Sequence, residues 1–93
     1  PPVDRLPALA ARFDAIYRRL AAVTAPAEMA GAHGTLLSAV DLGLQAVRTR
    51  TRAAVSGDVK AAWDASAAAS GAVMLLAQAR QSIAVLSKPP ELK

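Results

Sequence analysis

The chain has no cysteine, and among its 93 residues only Phe13, Tyr17 and Trp63 are aromatic. Without thiols there is no disulfide framework, no thiolate metal site and no thiol nucleophile. So few aromatics provide no stacking platform for single-stranded nucleic acid and little material for a cofactor pocket. A di-iron bundle needs inward glutamates and a Glu-x-x-His pair on each of two helices; two glutamates and the single His33 cannot supply it. Charge is missing between Asp64 and Arg80. That run falls short of the roughly 20 residues needed to span a bilayer and contains Ser66, Ser70 and Gln78, so no membrane span is expected.

What is present is alanine, at 24 of the 93 positions. Alanine is the best helix former, whereas strands favour β-branched and aromatic residues. The composition predicts one all-α domain over residues 1–93, with a thin core that small side chains draw together. Eleven basic residues against seven acidic ones leave a net charge of +4. Such an excess attracts nucleic acid or anionic surfaces weakly without defining a site.

Three helices are expected, over about 5–23, 26–55 and 58–87, in an up-down-up antiparallel bundle to be completed by dimerisation. In the first, Leu6, Leu9, Phe13, Ile16, Leu20 and Val23 recur at three and four, the stripe of a helix packed on others. Asp4 is the expected cap, and Arg5, Arg12 and Arg19 form a line on the opposite side. Asp14 and Arg18 are spaced to pair across the surface. Pro26 and Glu28 suit the opening turn of the second helix, whose apolar face carries Met29, His33, Leu36, Val40, Leu44 and Val47. The stripe keeps its phase across Gly43, which allows a close helix crossing or a gentle bend. Gly57 and Asp58 suit a left-handed stop followed by a new cap, and so short a turn makes the second and third helices antiparallel neighbours.

Along the third helix Ala62, Ala65, Ala69, Ala72, Leu76, Ala79, Ile83 and Leu86 form the expected inner stripe. Val59, Trp63, Val73 and Ala77 make a second apolar edge, with Trp63 expected to plug the bundle end against Leu6 and Leu9. The remaining side, normally charged, holds Ala67, Ala68, Gly71 and Leu75 in its middle. This smooth patch is the expected partner-binding surface, for a second copy or for a helix of another protein.

Other candidates are weaker. Met29 and His33, four apart, have the spacing of axial haem ligands on one face. A histidine bonded to Tyr17, Gln81 or a backbone carbonyl is the simpler reading, because alanine-rich packing leaves little room for a haem. No catalytic, cofactor-binding or metal-ligating residues are assigned, and a non-enzymatic role is expected. Arg48, Arg50 and Arg52 are the alternative site, an anion-binding cluster for nucleic acid or an anionic surface. Arg48 and Arg52 share a face while Arg50 points elsewhere, and the plain reading is a basic helix end meeting the negative pole of the dipole.

Pro26-x-Glu28, Ala32-His33, Leu36-Leu37, Ala46, the Gly57-Asp58 turn, and Ala65, Ala72 and Ala79 at every seventh residue resemble small helical domains of exported bacterial proteins, often lipoproteins. The likeness covers about residues 26–86. It implies a bacterial source and an exported, periplasmic or cell-envelope location, and carries no activity onto particular positions. A start at Pro1-Pro2 without methionine suits a processed mature protein or an excised fragment.

Overall fold

The computed structural model describes residues 3–87. A short 3-10 turn, Val3–Arg5, leads into helix α1, Leu6–Ala21; a second, Ala27–Met29, leads into α2, Ala30–Ser56; α3 is Val59–Ser87. The chain is an all-α three-helix bundle, and no strand occurs among the described residues.

Local chemistry accounts for each boundary. Pro7 sits in the first turn of α1, where its missing N–H would have had no partner. The expected Asp4 cap is not formed: the 3-10 turn puts Arg5 at the N-cap, without a side-chain cap bond. The Ala22 N–H donates to the Arg18 carbonyl at 3.1 Å and the Val23 N–H to the Leu20 carbonyl at 3.2 Å, tightening the end of α1. Pro26 lies just before the next turn in an extended conformation, and its carbonyl accepts from the Met29 N–H at 2.9 Å. At the other end of α2, Gly57 takes φ +71° and donates to the Ala53 carbonyl at 2.8 Å. Glycine is the residue that adopts this left-handed angle without a Cβ clash. Asp58 Oδ1 then accepts from the Ala61 N–H at 3.3 Å and caps α3.

The seam between α2 and α3 is built from small residues. Ala32, Ala39, Ala46 and Ala53 recur every seventh position on α2 and are all buried, as are Ala65 and Ala79 on α3, the helix that packs along it. Two backbones approach closely only where the side chains between them are small, so the closest line belongs to alanine. The large residues Leu44 and Val47 are buried beside that line. Met29, His33, Leu36 and Val40 are only half-buried, although sequence periodicity made them part of the face.

The shorter α1 lies along α2. Leu6, 1% exposed, is the largest fully enclosed side chain. Phe13 crosses at Gly43, where the missing Cβ gives the ring its place. The expected α1 stripe is corrected at Ile16 and Val23, 48% and 54% exposed. The buried side turns instead through Leu6, Phe13, Tyr17 and Leu20, since α1 has one helix to lean on rather than two. The result extends 60 × 24 × 18 Å with a radius of gyration of 16.1 Å. A compact domain of this length would have about 12 Å, so a long hairpin dominates the shape.

Candidate partner-docking groove

α1 stops short of covering α3, and an open groove of about 500 Å³ runs between them with α2 as its floor. Leu6, Leu9 and Phe13 form one wall. Gly43, Ala46 and Val47 are in the floor, and Ala62, Ala69, Val73 and Leu76 belong to the α3 wall. From Ala62 to Leu76 the wall runs roughly 21 Å along the helix at 1.5 Å per residue. Among the described residues, Arg50 is the only charged one in the lining, at the end nearest Leu6. Beyond the groove α3 remains apolar and open to solvent, with Met74 72% and Val85 67% exposed.

The sequence-expected patch lies one step around the helix from this wall. Ala67 is exposed. Ala68, Gly71 and Leu75 are half-buried, and a Cβ on Gly71 would come within 2.9 Å of Leu42 Cδ2. The outward placement of these three residues is therefore corrected: α2 takes up that side. A helix without charges over four turns carries no mark of its outer face, so periodicity alone could not set its rotation. Ala69 and Leu76, expected inside, are instead exposed in the groove. Trp63 is also corrected: at 74% exposure it does not plug the bundle end.

The three arginines aligned on α1 are all exposed. Arg5 and Arg12 stand four before and three after Leu9, and Arg19 stands three after the exposed Ile16. Residues so spaced are neighbours on a helix surface. Arg12 is thus one turn from the groove residue Leu9, while Arg19 lies six residues past Phe13, the last α1 residue of the lining. On α3, Arg80 lies one turn past Leu76, the last residue of that wall.

Three of the acids have partners on their own helices. Asp14 pairs with Arg18 at 3.1 Å and Asp64 with Lys60 at 3.0 Å. Asp41 accepts from Gln45 at 2.7 Å. These are exposed i,i+4 contacts, each of small energetic weight. Among the described residues, Arg5, Arg12, Arg19, Arg50 and Arg80 enter no ion pair.

Arg48, Arg50 and Arg52 are not brought together. Arg48 and Arg52 lie beside Gln45 and Thr49 on another face of α2, where Arg52 donates to Thr49 Oγ1 at 3.2 Å. Arg50 turns into the groove. His33 Nε2 is 2.8 Å from the Leu20 carbonyl, tying the start of α2 to the end of α1. It donates there, and neither His33 nor Met29 lines the groove. No group of three or more His, Cys, Asp or Glu among the described residues is placed to hold a metal ion. By length and composition alone, α3 is apolar enough to cross a membrane.

Fold and groove define a class: an all-α bundle with an unfilled apolar cleft along its long hairpin. No protein-family model, curated protein or solved structure matches the chain.

Proposed function

We propose that this chain is a non-enzymatic interaction module that takes an α-helix into the groove between α1 and α3. The observation supporting this is the combination of apolar walls, an Ala/Gly-rich floor and a length of several helical turns. Apolar grooves of this kind accept the i, i+3, i+4, i+7 face of an amphipathic helix. The wall residues Ala62, Ala69, Val73 and Leu76 have the four- and three-residue spacing of a helix-packing seam.

A membrane-spanning role for α3 has less support. α2 lies against it and carries Asp41, Arg48 and Arg52 on solvent faces, which hydrocarbon would accept only at high cost. The fold would have to come apart first.

Ala69→Trp tests the reading, because Ala69 is solvent-facing and its replacement would fill the groove without removing a core contact. A fluorescein-labelled amphipathic peptide with a Leu/Phe face should bind the parent chain saturably and lose at least tenfold in affinity with the variant. Equal binding to both proteins would refute a groove-docking function.

A further inference from the structure

Resting on the groove reading, we infer that the groove is filled by α3 of a second copy of this chain, antiparallel to its counterpart across a two-fold axis at Ala69.

The register follows from the order of residues along the α3 wall. Asp58 and Arg80 each stand eleven residues from Ala69, Ala62 and Leu76 seven, and Ala65 and Val73 four. Steps of four, seven and eleven return to nearly the same side of an α-helix, so these positions share one stripe. From Ala62 to Leu76 the stripe lines the groove. Asp58 and Arg80, both exposed, extend it by one turn at either end.

In an antiparallel pair centred on Ala69, each residue meets the one equally far on the other side of Ala69 in the second copy. Every such meeting is complementary. Leu76 of one copy comes against Ala62 of the other, and Val73 comes over Ala65. Val73 and Leu76 are both exposed in the single chain, and large side chains set opposite small ones interdigitate. At the axis Ala69 meets Ala69, which lets the two backbones approach closely. At each end the Arg80 guanidinium faces the Asp58 carboxylate, a charge-assisted pairing. Among the described residues neither Asp58 nor Arg80 enters an ion pair within its own chain. The Asp58 cap bond engages Oδ1 alone.

A parallel pair has none of this. It would set Arg80 on Arg80 and Asp58 on Asp58, and leave a void between two Ala62 side chains. The antiparallel seam runs roughly 33 Å from Asp58 to Arg80 at 1.5 Å per residue. Leu9 and Phe13 add the α1 wall to it. Arg50, half-buried in the lining, lays its aliphatic stem beside the incoming helix and keeps its head in water. Two-fold symmetry closes the assembly, because each copy fills the groove of the other.

The chain as it is should be a dimer by light scattering at micromolar concentration, and Ala69→Trp should make it monomeric. With no native cysteine, a single introduced thiol reports the register. Mild oxidation of Ala69→Cys should link two copies, since a close helix crossing at the axis brings the two thiols within disulfide reach. Ala62→Cys and Leu76→Cys should each link poorly alone, their thiols standing about 21 Å from their equivalents, and well when the two proteins are mixed. Arg80→Glu should weaken the dimer at least tenfold in low salt, with the effect shrinking by ~0.5 M salt. Circular dichroism should stay unchanged, since Arg80 is exposed. The Leu/Phe peptide should compete for the groove and release monomers.

A chain that stays monomeric, yet binds the peptide in a way that Ala69→Trp abolishes, would keep the groove and overturn the second copy as its occupant. Efficient linking through Ala62→Cys or Leu76→Cys alone would overturn the antiparallel register. A dimer untouched by Ala69→Trp would place the contact elsewhere and overturn the inference. Peptide binding equally untouched would remove the groove reading as well.

Discussion

Gly43 lies directly beneath the Phe13 ring: a Cβ added there would come within 2.8 Å of Cε1 and 3.0 Å of Cζ. The position is a socket that lets α1 sit down on α2. Glycine costs a helix up to about 1 kcal/mol relative to alanine, and here that cost is offset by packing. Gly31 and Gly34, on the same helix, have nothing within 4 Å of an added Cβ. Gly31→Ala and Gly34→Ala should each raise unfolding free energy by about 0.5–1 kcal/mol. Gly43→Ala should show no gain or a loss, since the ring and the helix behind it must shift. Urea denaturation of the three variants checks this, and an equal gain at Gly43 would contradict the socket.

Leu6→Ala should cost about 2–4 kcal/mol, the range for opening a cavity under a fully enclosed leucine. Ile16→Ala, close to half exposed on the same helix, should cost less than half as much. Denaturation midpoints for the pair measure how firmly the start of α1 is held. Similar losses would mean that α1 packs on another face.

His33→Phe keeps a ring of comparable helix propensity but deletes the donor to the Leu20 carbonyl. About 1 kcal/mol should be lost. Thermal melting should register this as roughly 4–8 °C in a domain of this size. An unchanged melting temperature would show that the 2.8 Å contact contributes nothing to joining the two helices.

At Gly57, φ +71° penalises any residue with a Cβ. Gly57→Ala should destabilise by about 1 kcal/mol, and Gly57→Asn by less, since asparagine tolerates this region. The order Gly, Asn, Ala in melting temperature is the expected readout.

For nucleic acid, Arg48 and Arg52 form a small basic face without Arg50. Duplex DNA should bind no better than about 10⁻⁴–10⁻⁶ M at physiological salt, the range of sequence-independent attraction. The R48A/R52A variant should leave docking of the amphipathic Leu/Phe peptide unchanged, because neither residue lines the groove. Tight DNA binding abolished by R48A/R52A would instead favour the anion-binding reading.

How much was legible in the sequence differs from helix to helix. Proline, glycine and aspartate mark the ends of α2 and α3 because each acts through its own backbone: Pro26, Gly57 and Asp58 serve near where they stand. The fit of Gly43 to a close crossing was legible too, since a glycine in an apolar stripe needs a reason to be there. The core of α2 was harder. Large residues attract notice as a face, yet the deepest line is Ala32, Ala39, Ala46 and Ala53, whose smallness is what puts them at closest approach.

From composition and local chemistry alone came the three helices, their antiparallel order across the Gly57 turn, and a third helix too apolar for a free surface. The tertiary structure decided which side of α3 stays open, moving the candidate surface from Gly71 and Leu75 to Ala69, Val73 and Leu76. The reason is rotational: a helix with contrasting faces carries its own orientation, whereas one apolar all round takes its orientation from whatever packs against it.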